Sequence, residues 1–389
     1  MTRPAIQLRQ GRLRSPLFLY GTEQPELTLQ LAGLSLTIRS DPEAGPLTLA
    51  LRPPFNSPAM AITRQRVETS LRQTWPHLPL KNRAILRTGS GSYASRNHSA
   101  VSGPAALLLH AALAGVNLRQ DLVLIGDLDP EGGLTRPRHS WEYLQALRSG
   151  EGGRLVVPPD LLAELRSLVV LEDPGFFLKW EVLVTSTLPA ALPLCDATGD
   201  PEGFATASAS FGEIRRLSQE MDVGALAVHP RVRERLQQIA KTAPFHCSSS
   251  MLLLQGSSQR PTRLDPEVLA RILLSTLEPL SWITRAETSS LTAPRLDAAH
   301  EDCRKQLDPL VRYARREDQD LMKEALALAN VPRTLGRTRK RATAEDLEEP
   351  QPERRAARLT ELHRRFQADL PAFLSRLAAL SGTPEPSRH

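Results

Sequence analysis

Apolar and polar residues alternate along much of the first half of the chain, which is the pattern of half-buried β-strands. Positions 26–38 read ELTLQLAGLSLTI, and positions 46–51 read PLTLAL just before two prolines. The runs LVLI at 122–125 and RLVV at 154–157 predict strands that are buried on both faces. Apolar positions at helical spacing separate these strands and predict helices at 62–71, 105–113 and 140–147.

The strand pattern stops near Cys195, and the rest of the chain is predicted to be helical. Small residues follow Cys195, and a later stretch mixes a basic run with an acidic one, so both predict linkers. The sequence therefore predicts seven segments: a basic N-terminal segment at 1–24, an α+β domain at 25–195, a linker at 196–210, a helical domain at 211–331, a charged linker at 332–353, an amphipathic helix at 354–381 and a tail at 382–389.

The composition indicates a globular protein of two or three domains. Of 389 residues, 41% are hydrophobic and 24% are charged, and the net charge is +6. No apolar run approaches the roughly 20 residues of a membrane helix, and the first residues lack the apolar stretch of a signal peptide. Cys195, Cys247 and Cys303 form no CxxC pair, and neither GxxxxGKS nor GxxxxGKT occurs. We therefore expect a cytoplasmic protein with no metal and no other cofactor.

Four short motifs carry a resemblance to a known family. They are Ser102-Gly-Pro-Ala-Ala106, the run LVLIGDL at 122–128, Gly132-Gly-Leu134 and the run RLVVP at 154–158. Their order and spacing resemble the proteolytic domain of Lon proteases, which has the ribosomal protein S5 domain 2-type fold. Positions 62–71 and 79–83 are similar to the Lon-like domain of magnesium-chelatase-type competence ATPases, which is not a protease. The resemblance implies an α+β Lon-like domain at 25–195, followed by an α-helical domain.

The same resemblance places the family's catalytic positions on residues that cannot perform the chemistry. Lon-type peptidases use a serine that a neutral lysine activates. The nucleophile position falls on Ala105 and the lysine position falls on or near Tyr143. No lysine lies between Gly103 and Lys179, so that helix holds no amine whatever the exact alignment. The sequence therefore favours a domain without peptidase activity that binds or scaffolds other proteins.

A divergent, ATP-independent or partner-driven serine endopeptidase is the alternative. Its nucleophile would be Ser102, the fallback choice, or Ser99, and His98 lies in the same predicted loop, where it could pair with a serine. The simpler interpretation is that Ser102 caps a helix that begins at Gly103. His110, on an apolar helix, is read as a core histidine, and Asp127 as a residue that stabilises a turn.

A third hypothesis is an accessory protein that binds nucleic acid. Its candidate surface is a basic patch in the charged linker, formed by Arg333, Arg337, Arg339, Lys340 and Arg341. The alternative is a solvated tail that nearby acidic residues partly neutralise. The final amphipathic helix offers an apolar stripe that serves either core packing or the docking of a partner helix.

Overall fold

The computed structural model describes residues 6–20, 27–43, 45, 47–52, 58–88, 92–93, 98–343 and 352–382. The chain divides into two compact units, Met1–Arg260 and Pro261–His389. The first unit combines a mixed sheet with helices, and the described part of the second is helical. The predicted α+β class is therefore confirmed.

The sheet of the first unit is built around its first strand, β1. The described strands are β1 (Gln10–Tyr20), β2 (Leu27–Ser40), β3 (Thr48–Arg52), β4 (Asn82–Thr88), β5 (Ser92–Tyr93), β6 (Leu122–Leu124), β7 (Asp127–Leu128), β8 (Leu134–Thr135), β9 (Gly153–Val157) and β10 (Trp180–Val184). Seven of them follow the order β10-β9-β6-β1-β2-β4-β3. β1 pairs antiparallel with β2 along its whole length and parallel with β6 at Arg14↔Val123. β5 pairs with the end of β1, and β7 and β8 form a separate hairpin.

Ten helices are described in the first unit. They are α1 (Pro58–Thr74), α2 (His98–Ala114), α3 (Ser140–Arg148), α4 (Leu162–Val170), α5 (Gly175–Lys179), α6 (Leu188–Ala191), α7 (Glu202–Leu217), α8 (Val223–Val228), α9 (Pro230–Thr242) and α10 (Cys247–Gln255). α2 is almost entirely buried, since it packs against α1, β1 and β7.

α2 and α3 cover opposite faces of the sheet. Gly11 of β1 faces Leu108 of α2, and Phe18 of the same strand packs against Tyr143 of α3. Successive residues of a strand point to opposite faces, so an odd-numbered and an even-numbered position of β1 lie on different sides.

The described helices of the second unit are α11 (Pro266–Leu277), α12 (Ser281–Arg285), α13 (Ala293–Leu307), α14 (Gln319–Thr343) and α15 (Pro352–Leu380). The stripe predicted for the last helix packs inside this unit, where Phe366, Leu370 and Phe373 are buried and α15 contacts α11, α12 and α14. His363 of α15 also bonds the carbonyl oxygen of Ile283 at 2.8 Å. The stripe is therefore core packing rather than a free docking face.

The structure corrects the first predicted boundary. The segment at 1–24 is not a basic appendage, because residues Gln10–Tyr20 form the strand that joins the two halves of the sheet. Arg12 and Arg14 obscured this strand in the sequence. Leu13, Leu17 and Leu19, however, are fully buried at the spacing of a strand.

Both predicted linkers are also corrected. The stretch at 196–210 contains the start of α7, because Phe204, Ala207 and Phe211 repeat at helical spacing and are buried. The stretch at 332–353 contains the last part of α14, which continues to Thr343. The helical domain predicted at 211–331 is split as well, since α7–α10 belong to the first unit.

In the part of the chain that the structure describes, no helix is both long enough and apolar enough to cross a membrane.

Candidate functional site

The side chains of Ser102, Asp127 and Arg66 meet at the turn that follows β6 in the first unit. The hydroxyl of Ser102, on α2, donates a hydrogen bond to the carboxylate of Asp127. Arg66 of α1 donates from Nη1 to Oδ2 of the same carboxylate at 2.9 Å. The backbone N–H of Leu128 donates to Ser102 Oγ at 3.1 Å and to Asp127 Oδ1 at 2.8 Å. We call these four residues the Ser102 cluster.

Two glycines bring the elements of the Ser102 cluster together. The backbone N–H of Gly103 lies 3.3 Å from the carbonyl oxygen of Gly126 and donates to it. A Cβ atom at position 103 would stand only 2.5 Å from that oxygen. Because Gly103 has no side chain, α2 lies close enough to the turn after β6 for the preceding residue, Ser102, to bond Asp127.

The proposed capping role of Ser102 is wrong. Helix α2 begins at His98 and contains Gly103 and Pro104, so Ser102 lies within the helix rather than at its start. The Gly-Pro pair reads as a helix start in the sequence because proline is favoured in a first turn. Ser102 instead links α2 to the β7 hairpin through its two hydrogen bonds.

Burial makes Ser102 a poor nucleophile. The residue has no exposed surface, and its one hydroxyl proton is already donated to Asp127. Burial raises the pKa of Asp127, while the hydrogen bond from Ser102 and the charge of Arg66 act in the opposite direction. A substrate carbonyl cannot reach an oxygen that the protein encloses, so this geometry supports a structural link and not attack.

The two positions assigned to the family's dyad do not form a catalytic pair. Ala105 is fully buried on α2 and offers only a methyl group, whereas Tyr143 is fully buried on α3. The Tyr143 ring lies 5.9 Å from Phe18 and 6.3 Å from His139, centroid to centroid. The two helices cover opposite faces of the sheet, so the two positions are not adjacent across one surface.

No amine or imidazole activates Ser102 in the described part of the chain. Its hydrogen-bond partners there are Asp127 and Leu128, and neither a lysine nor a histidine is among them. Lys179, the first lysine after Gly103, donates from Nζ to the carbonyl oxygen of Arg148 at 2.8 Å.

The other polar candidates have structural contacts of their own. The hydroxyl of Ser99 accepts a hydrogen bond from the backbone N–H of Arg138 at 3.3 Å. His110 accepts one from the indole N–H of Trp75 at 3.3 Å, and burial lowers the pKa of His110 to about 4, as expected for a neutral core histidine. The side chain of His98 lies outside the described residues.

Sequence reasoning missed a second polar cluster, which is centred on Arg154 of β9. The buried guanidinium donates to Glu181 at 2.9 and 2.8 Å and also bonds Asp200. It donates further to the carbonyl oxygen of Leu194 at 2.8 Å. The only sequence signal for this cluster is an arginine inside an apolar strand.

The Arg154 cluster extends to His246, which is fully buried. His246 Nδ1 accepts the backbone N–H of Ser249 at 3.1 Å, so the ring proton lies on Nε2, 3.5 Å from Glu181 Oε1. Burial alone raises the pKa of Glu181, but the neighbouring His246 imidazole and the charge of Arg154 outweigh it and lower that pKa to about 2. The Arg154 cluster therefore connects α7 and α10 to the edge of the sheet.

The predicted basic patch lies on α14 and is partly engaged within the second unit. Arg339 donates to the carbonyl oxygens of Thr288 and Ser289, each at 2.7 Å, and Lys340 pairs with Asp297 at 2.8 Å. The two other described members, Arg333 and Arg337, are exposed and lie one helical turn apart. The side chain of Arg341 lies outside the described residues.

No model of a known protein family matches this chain, and no curated protein matches it in sequence.

Proposed function

We propose that the chain carries a Lon-like domain without peptidase chemistry and acts as a protein-binding or scaffolding module. The single observation that carries this proposal is the state of Ser102. Ser102, the fallback nucleophile, is fully buried, and its hydroxyl donates to Asp127. A folded domain can bind a partner protein through its surface alone, so the lack of a nucleophile does not prevent a Lon-like domain from acting as a binding module.

The order of elements supports the likeness to the Lon domain. Two long antiparallel strands, β1 and β2, precede α1 and β4. The α2 helix with its Gly-Pro pair then leads to the buried strand β6, the β7–β8 hairpin, α3 and β9. The four motifs of the resemblance fall on these elements in the same order.

The absence of a base supports the lack of peptidase activity. A serine hydroxyl is a weak nucleophile until a neighbouring base takes its proton. Asp127 is the only side chain that bonds the Ser102 hydroxyl among the described residues, and it also carries the ion pair with Arg66. A carboxylate titrates many pH units below a serine hydroxyl, so it removes that proton inefficiently.

The test incubates the purified full chain with an unfolded, fluorescently labelled casein, with and without ATP, and with a fluorophosphonate probe that labels reactive serines. We expect neither cleavage nor labelling. Ser102→Ala is the diagnostic variant, and Ser99→Ala is its matched control on the same helix. Cleavage or labelling that disappears in Ser102→Ala but persists in Ser99→Ala would overturn the proposal and favour the divergent peptidase.

A second candidate function is nucleic-acid binding, which the continuous helix α14 favours. Because α14 runs to Thr343, Arg333, Arg337 and Lys340 follow one another at helical spacing on one face. Fluorescence anisotropy with a labelled oligonucleotide tests this candidate through the variant Arg333→Gln/Arg337→Gln. The matched control removes two exposed arginines from α9, as Arg231→Gln/Arg235→Gln. Equal affinity of both variants refutes a role for this face, whereas a selective, salt-sensitive loss in the first variant supports it.

A further inference from the structure

A cleft lies beside the first half of β1, in the first unit. Its volume is about 540 Å³, within the range of small-molecule sites. The polar lining consists of Gln10, Arg12, Arg14, Asn117 and Gln120, and no acidic residue lines the cleft. We call this site the β1 cleft.

The sheet topology explains why the β1 cleft is open. β6 meets β1 at Arg14, and β5 meets it only at Leu19 and Tyr20. Residues 10–13 of β1 therefore have no strand partner on that side among the described residues. Gly33 of β2 lies opposite Arg14, and a Cβ atom at Gly33 would meet nothing within 4 Å. The cleft thus has unfilled space next to a guanidinium.

The two arginines of the β1 cleft differ in how far the protein already engages them. Arg12 is exposed, and no hydrogen bond or ion pair is recorded for it within the described residues. Arg14 is held in place, since its Nη2 donates to the carbonyl oxygens of Asp121 and Gly152 at 3.3 and 3.0 Å, and its Nη1 lies 3.7 Å from the carboxylate of Glu151. Arg14 therefore adds a fixed positive charge beside the cleft, which Glu151 partly offsets, whereas Arg12 is the guanidinium that a ligand can reach.

We propose that the β1 cleft binds a small molecule that carries a phosphate group. Guanidinium groups recognise phosphate oxygens through paired N–H donors, and the carboxamides of Gln10, Asn117 and Gln120 supply further donors. The apolar part of the lining, which includes Leu108, accommodates the uncharged part of the ligand. This inference is independent of the proposed function, because the Ser102 cluster and α14 contribute no residue to the cleft.

Thermal unfolding and isothermal titration calorimetry of the full chain test this proposal. The probes are inorganic phosphate, adenosine 5′-monophosphate and glucose 6-phosphate at millimolar concentrations, with adenosine and glucose as uncharged controls. We expect at least one phosphate ester to raise the unfolding temperature and to bind more tightly than inorganic phosphate, with an affinity that falls as salt is added. Binding of inorganic phosphate alone, or of no phosphorylated probe, overturns the proposal.

Two variants locate the binding in the β1 cleft. Arg12→Gln removes an exposed charge that has no recorded partner, and we expect it to weaken binding about tenfold. Gly33→Val fills the empty space without changing any charge and suits a strand position, so we expect it to abolish binding while the fold persists. Arg9→Gln, an exposed residue outside the lining, is the matched control for charge. Unchanged affinity in either cleft variant overturns the assignment.

Discussion

Replacing Ser102 by alanine separates the structural role of this hydroxyl from a catalytic one. In the folded protein the hydroxyl donates to the carboxylate of Asp127 and accepts the backbone N–H of Leu128. The substitution removes both hydrogen bonds and adds no atom, so it does not introduce a clash into the packed α2 helix. A structural link of this kind contributes to the free energy of unfolding, and its loss is measurable whatever the activity of the protein.

The magnitude follows from the two bonds that are lost. A hydrogen bond to a charged group contributes about 1.5–3 kcal/mol to stability. The Leu128 N–H loses less, because it still donates to Asp127 Oδ1 at 2.8 Å. Asp127 also keeps its ion pair with Arg66. We therefore expect Ser102→Ala to lower the free energy of unfolding by about 2 kcal/mol, and the unfolding temperature by about 4–8 °C for a unit of this size.

Urea denaturation followed by tryptophan fluorescence and circular dichroism measures this change. A double-mutant cycle with Asp127→Asn isolates the interaction, with an expected coupling of about 1 kcal/mol. Ser99→Ala is the control, because Ser99 loses only one neutral hydrogen bond, that from the Arg138 N–H at 3.3 Å. A Ser102→Ala protein as stable as the parent, combined with loss of phosphonate labelling, would refute the structural role and identify a nucleophile.

Two further predictions concern packing and pH. Gly103→Ala places a Cβ atom 2.5 Å from the Gly126 carbonyl oxygen, so we expect a loss of about 1–3 kcal/mol in urea unfolding. The control is Gly212→Ala in α7, where an added Cβ atom would meet nothing within 4 Å, so we expect this variant to be more stable by up to about 1 kcal/mol. Equal effects of the two substitutions on the free energy of unfolding would contradict the clash at Gly103. The pKa of Glu181 is depressed from 4.5 to about 2, so its carboxylate stabilises the fold above pH 4.5 and loses that contribution, about 3 kcal/mol, as the pH falls toward 2. Glu181→Gln should therefore be less stable than the parent at neutral pH, with a difference that shrinks across this window; a constant difference would exclude the depressed pKa.

Strands with clear alternation were predictable from the sequence, whereas β1 was not. Residues 27–38 of the first predicted stretch lie within β2, and the apolar run at 122–125 contains β6. β1 also alternates at Leu13 and Leu17, but the arginines beside them made the stretch resemble a basic tail. Arg12 is compatible with a central strand because it lies where β1 extends beyond β6, whereas Arg14 pairs with Val123 of β6. This register has no local pattern in the sequence.

The helices α7 and α14 were obscured by their composition. Small residues in the first half of α7 and opposite charges near the end of α14 are typical of linkers when each is judged alone. In the structure, Phe204 and Phe211 of α7 are buried in the first unit, and α14 packs against α13 and α15 in the second. Tertiary packing therefore makes these segments helical, because the intrinsic helix propensity of a short stretch is weak.

The candidate site could be predicted only in part. Ala105 and the missing lysine are visible in the sequence, so the loss of the dyad was an expectation from the start. The contact between Ser102 and Asp127 joins residues 25 positions apart and depends on the close approach of Gly103 to Gly126. Arg154 likewise bonds Asp200 and Ser208, which lie 46 and 54 positions further along the chain. Neither pairing has a local pattern in the sequence.

Helical geometry explains why a serine at position 102 does not replace one at position 105. Three residues of an α-helix advance about 4.5 Å along the axis and turn about 300°, so the two side chains start from different points on the helix. When a catalytic group is displaced by about 1 Å from its working position, the reaction rate falls sharply. Ser102 also points to Asp127, and that contact holds α2 against the turn after β6. Because Ser102 is fully buried, a substrate could reach its hydroxyl only if α2 moved away from the turn after β6, and that movement would cost the stability that this contact supplies.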